Sequence, residues 1–240
     1  MIVVAVVVVA LVAGVVIAWW LPIVGVAVGA LFAWDSLRSF SRLERDGAGV
    51  GASLRERLRE GGGSRERQRL ATVVDRLSAT FGVVGVQAVI VADPGYNAAL
   101  MRRDGGLVLY VTDALLADFE LIELEGVVAH CLARQRLGLV ERQCVAASVN
   151  VDDATRRQLA GTGQCYRADE VAAAAIRYPL GLAAALRRCA DQGSLVDSYF
   201  TTADFALTRW SWFNPFAGHL ASDLGDLDDP RLRSLALEEW

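Results

Sequence analysis

The run His130-Cys131-Leu132-Ala133-Arg134 sets an imidazole, a thiol and a guanidinium within about one helical turn of each other. Downstream, Cys165 and Asp169 place a second thiol and a carboxylate at positions i and i+4, on one face of a helix. Two kinds of chemistry use such groups. Imidazole and thiolate ligate zinc. A thiol beside positive charge can also have a lowered pKa and act as a nucleophile or redox centre, with Cys131 the position concerned. Against the second stands the common role of buried cysteine as a small hydrophobe.

The rest of the inventory is sparse. All 24 basic residues are arginines, which removes Schiff-base lysines, a P-loop lysine and a catalytic Ser/Lys pair. His130 and His219 are the only histidines, so a site built from several histidines is excluded. Cys131, Cys144, Cys165 and Cys189 lack the paired spacing of a zinc ribbon or a secreted disulfide framework. A net charge of -4 argues against a nucleic-acid partner.

The elements that must position these groups can be read from the hydrophobic pattern. Ser64 to Phe81 is helical, with Leu70, Val73, Val74, Leu77 and Phe81 on one face and Gly82 as its stop. Val86 to Val91 reads as a strand ending in the turn Asp93-Pro94-Gly95, and Leu107 to Thr112 as a second strand. Thr112-Asp113 caps a short helix around Ala114 to Leu116. Glu120 to Arg136 is a longer helix that carries His130, Cys131 and Arg134. After a polar connection, Cys165 to Arg177 and Leu180 to Asp191 form two more, divided at Pro179, and the tail beyond Ser194 reads as irregular. The fold class expected is α+β: mainly helical, with a small sheet.

Within the chain's 240 residues and its 54% hydrophobic content, Ile2 to Trp34 contains no charged residue. As a helix it would run about 50 Å, against a hydrocarbon core of about 30 Å. It therefore reads as an N-terminal transmembrane anchor over residues 1–37: either two short spans broken at Trp19-Trp20-Leu21-Pro22, or one span with a trailing interfacial helix. A cleaved signal peptide fits less well, because a basic n-region is missing. Arg38, Arg42 and Arg45, then Arg55 to Arg69, place the remainder of the chain in the cytoplasm, with reduced thiols. Residues 38–63 read as a juxtamembrane helix and linker, and 64–240 as the main domain.

Several segments, taken in order, resemble the HtpX-like membrane zinc metallopeptidases of the gluzincin group. Asp93-Pro94-Gly95-Tyr96-Asn97-Ala98-Ala99 resembles their "DxPxxNAFA" turn. Val111 to Leu116, then Glu123-Leu124-Glu125-Gly126-Val127-Val128-Ala129-His130, is similar to "VTTGLL…ELEGVLAH". Cys165 to Asp169 is similar to "E-x-x-A-D", Arg177-Tyr178-Pro179-Leu180-Gly181 to "RYPPG", and Asn214-Pro215-Phe216 to "NPF". Asp228 to Leu232 is similar to the start of "HPPxxERI".

The resemblance implies a gluzincin-like metallopeptidase domain in which His130 keeps the first ligand position of H-E-x-x-H. Cys131 stands at the general-base position, Arg134 at the second ligand position and Cys165 at the third. An arginine presents only donors and cannot ligate a metal, and zinc needs three or four ligands. The expectation is a pseudo-peptidase with a binding or regulatory role, without cofactor, and with the lipid bilayer and a polypeptide or membrane protein as partners. Arg134 is expected to approach Asp169, or another carboxylate, in place of the metal. Two other readings are an active metalloendopeptidase with an atypical zinc site and a thiol enzyme or redox sensor using Cys131. Through the same resemblance, Leu107, Val108, Leu109, Tyr110, Val111 and Thr112 are expected to form an edge strand to which an extended peptide adds.

Overall fold

The computed structural model describes residues 7–9, 22–46, 62–103, 105–142, 164–191 and 229–240. Helix α1 spans Pro22–Asp46 and α2 spans Ser64–Phe81. Strands β1 (Val86–Val91), β2 (Ala98–Arg103) and β3 (Gly106–Thr112) come next. Then come α3 (Asp113–Asp118), α4 (Leu121–Arg136), α5 (Gln164–Ile176), α6 (Pro179–Asp191) and α7 (Pro230–Glu238).

Periodicity accounts for α2 fully. Leu70, Val73, Val74, Leu77 and Phe81 are its buried residues. The helix stops where Gly82 takes a left-handed conformation at φ 66° and Val83 N donates to Ser78 O at 2.9 Å. The sheet order is β1-β3-β2, with β1 parallel and β2 antiparallel to β3, so the resemblance-based expectation of an edge strand fails. Both backbone edges of β3 are already paired, Leu109 lying between Ala88 and Leu100. A continuous buried run from Leu107 to Thr112 is what a strand covered on both faces looks like.

The turn before β2 is tied back to the end of β3. Gly95 N donates to Asp93 Oδ1 at 2.7 Å, Asn97 N to Thr112 Oγ1 at 3.1 Å, and Thr112 N to Asn97 O at 3.0 Å. Those bonds fix where α3 and α4 leave the sheet. A capping box starts α4, Glu120 N donating to Glu123 Oε2 at 2.7 Å. The helix is buried nearly all round, as a central core helix must be, and packs against α2, α5, α6 and β2. Its crossing with α6 is close because Gly126 lacks a side chain: a Cβ there would stand 2.8 Å from Leu182 Cα.

The transmembrane expectation needs correction. Among the described residues, no helix is long and apolar enough to cross a membrane. Helix α1 is apolar only as far as Trp34, then runs on through Asp35, Arg38, Arg42, Glu44, Arg45 and Asp46. Its apolar part is about 20 Å long, short of a hydrocarbon core of about 30 Å. It packs against β2, with Gly29 and Ser36 buried. The break at Trp19-Trp20 and nearly all of the preceding apolar run lie outside the described residues.

Candidate functional site

Helices α4, α5 and α7 meet around His130. The ring is fully buried, and its Nδ1 lies 2.7 Å from Asp169 Oδ1. Asp169 comes from α5, one turn after Cys165, and both are buried. The third contributor is Arg233 of α7, also fully buried: its Nε donates to Asp169 Oδ2 at 2.6 Å and its Nη2 to Asp169 Oδ1 at 2.9 Å. This is the two-pronged geometry that a planar guanidinium makes with a carboxylate. Helix α7 holds it in place through Pro230 at its first turn, Asp229 capping Arg231 N at 2.8 Å, and Ser234 donating to Ala183 O of α6 at 3.1 Å.

Arg134 is 1% exposed and donates from Nη1 to Cys165 Sγ at 3.7 Å. The expected approach of Arg134 to the carboxylate thus takes a different form. Asp169 is clamped by Arg233, and the Arg134 head reaches the thiol at the other end of the same α5 face. His130, Arg134, Cys165 and Asp169 are brought together as their spacing implies. Arg233 was missed, because the tail after Ser194 reads as irregular; the available signal was Asp229-Pro230, a cap and first-turn pair that opens a helix.

Charge states follow from this geometry. Burial raises the Asp169 carboxyl, but Arg233 and then His130 more than reverse that, bringing its pKa down to about 2. Burial lowers His130 to about 4 despite the neighbouring carboxylate, with Arg233 and Arg134 adding to the fall. The imidazole is therefore neutral at pH 7. With Nδ1 against an ionised carboxylate, the proton sits on Nδ1 and the lone pair on Nε2.

Cys131 lies inside the core with no exposure, and burial pushes its thiol up to about 12 against the opposing pull of Arg134 and Arg233. The lowered pKa expected of a reactive thiol is absent at this position; desolvation wins over the nearby charge. Burial raises the Cys189 thiol as well. Cys144, His219 and the Asn214-Pro215-Phe216 segment lie outside the described residues.

Of the positions the resemblance assigns to a metal, His130 offers Nε2 and Cys165 offers sulfur, while Arg134 brings a fixed cation onto that sulfur. This donor set does not fit zinc, which requires further ligands and a site free of competing positive charge. Among the described residues, no three His, Cys, Asp or Glu side chains are grouped so as to hold a metal ion. Compared with known proteins, the chain matches no family model, no curated protein and no solved structure.

Proposed function

We propose that the protein is a catalytically inactive relative of the zinc metallopeptidases, with a binding or regulatory role in place of hydrolysis. The observation that carries this reading is the Arg134 head, buried against Cys165 beside a His130–Asp169 pair. In a metallopeptidase helix pair, the first histidine presents Nε2 to the metal while a carboxylate holds Nδ1. His130 and Asp169 keep that relation. In this reading the Arg134 guanidinium, held on Cys165 Sγ, stands in for the cation and needs no water, base or open coordination position.

The helices would thus be tied by an internal cation, leaving the outer surfaces for recognition. A polypeptide partner adding as a strand would have to use β1 or β2, the two outer strands, since β3 is paired on both sides. The test is metal content together with cleavage of unfolded casein by the purified full chain. Well under one zinc per chain and no cleavage is the expected result. One zinc per chain, lost on Cys165→Ser, would replace this reading with that of an atypical peptidase.

A further inference from the structure

The two outer strands of the sheet are not equally sheltered. Ala98, Ala99, Leu100 and Met101 of β2 are buried, α1 and α4 pack against that strand, and Arg102 near its end donates to Glu141 Oε1 at 3.0 Å. On β1, Gln87 and Ala88 are both exposed. Successive strand residues face opposite sides of the sheet, so β1 is bare on both sides at that point. Among the described residues β1 pairs with β3 alone, and Val86 to Val91 form no hydrogen bond elsewhere. Strand edges are ordinarily blunted by charge, proline, a bulge or extreme shortness. Strand β1 has none of these: it runs for six residues in unbroken register with β3, and Gly82 to Ala92 contains no charged residue and no proline. Val84, just ahead of the strand, is 89% exposed, so the approach to the edge is apolar as well.

We propose that the β1 edge pairs, antiparallel, with the β1 edge of a second copy of the chain, joining the two three-stranded sheets into one about a two-fold axis. A second copy fits this edge better than a foreign extended peptide does. Its β1 is already a strand and loses little conformational freedom on pairing, whereas a free peptide must first be ordered. An edge without charge offers nothing to attract an acidic or basic segment, and pairing it with itself opposes no like charges. The two-fold also ends the assembly, because it uses the exposed edge of each copy and leaves only the sheltered β2 strands outside. A register centred on Ala88 sets that small side chain against its own copy and Gln87 against Val89, with no bulky pair at the axis. The pairing stands on the strand alone and holds whether or not the chain hydrolyses peptides.

The test is sedimentation velocity of the purified full chain over a range of concentrations. The wild type should sediment as a dimer that dissociates on dilution. Ala88→Lys and Ala88→Glu change an exposed side chain, so their urea midpoints should match that of the wild type where all three are monomeric. Either variant alone sets like charges across the two-fold, and its dissociation constant should rise by at least about tenfold. An equimolar mixture of the two sets opposite charges there and should restore the dimer, which a misfolded variant could not do. A wild type that stays monomeric at every concentration would overturn the proposal. So would a dimer that both charge variants leave unchanged, or a mixture no more dimeric than its components.

Discussion

Arg233 grips both oxygens of Asp169, at 2.6 and 2.9 Å, across 64 positions of sequence and with neither residue exposed beyond 3%. The pair joins α7 to α5, and His130 Nδ1 on Asp169 extends the link to α4. Removing one member leaves an uncompensated buried charge, which costs far more than the intact pair contributes. Arg233→Ala should therefore lower the unfolding free energy by about 3–5 kcal/mol. Urea denaturation followed by circular dichroism measures it. A loss below about 1 kcal/mol, the range of exposed ion pairs, would contradict the buried geometry.

Acid should weaken the fold in two steps. His130 binds its proton at about 4 when folded and at its ordinary 6.5 when unfolded. Between those values the unfolded chain holds more protons, so stability falls as pH drops from about 6.5 to about 4. The loss is on the order of 3 kcal/mol. Asp169 then adds a second loss as pH falls from 3.8 toward about 2, because its folded pKa is the lower one. Unfolding free energies from pH 7 to pH 3 should slope downward in the wild type, and the upper part of that slope should flatten in His130→Gln.

The Cys131 thiol should be inert in the folded protein. With its pKa pushed up to about 12 and no exposure, iodoacetamide at pH 8 should label Cys131 only after denaturation. Mass mapping of the alkylated peptides decides the point. Labelling of Cys131 in the native protein at the rate of an ordinary exposed thiol would return attention to thiol chemistry.

Gly126→Ala should force α4 and α6 apart. The added Cβ would stand 2.8 Å from Leu182 Cα, a backbone atom that a rotamer change cannot move. A cost of about 1–3 kcal/mol is expected, typical of overpacking. Gly181→Ala meets Ile122 O at 2.8 Å from the opposite helix and should behave alike. Urea midpoints of the two variants give the comparison.

The triple change Cys131→Glu, Arg134→His and Cys165→Glu removes the internal cation and supplies the missing ligands. The His130–Asp169 contact is already in place to hold the ring. The expected outcome is uptake of zinc toward one per chain, read by elemental analysis. Uptake no greater than that of the unchanged protein would weaken the proposed descent from a zinc site.

Local pattern made much of this fold legible. The buried face of α2 follows the 3.6-residue period residue by residue, and α3, α4, α5 and α6 lie within a residue or two of where caps, glycine and proline put them. Strand β2 was not legible, since Ala98-Ala99-Leu100-Met101 lacks β-branched residues; it becomes a strand through pairing, Leu100 against Leu109 and Ala98 against Val111. The centrality of β3 had a signal in its unbroken apolar run, which the family resemblance overrode. The site divides in the same way. Spacing placed Cys165 and Asp169 on one face and His130 and Arg134 on another. Nothing local shows that a guanidinium from α7 will complete the cluster, because that contact joins positions 103 residues apart.

The dependence of Asp169 on Arg233 bears on how the chain matures during translation. Synthesis runs from the N-terminus, so α4 and α5 emerge well before residue 233 leaves the ribosome. Until then Asp169 has no Arg233 to balance it, and α4 and α5 cannot close around it without that cost. The nascent domain should therefore remain open to proteases and chaperones until α7 emerges.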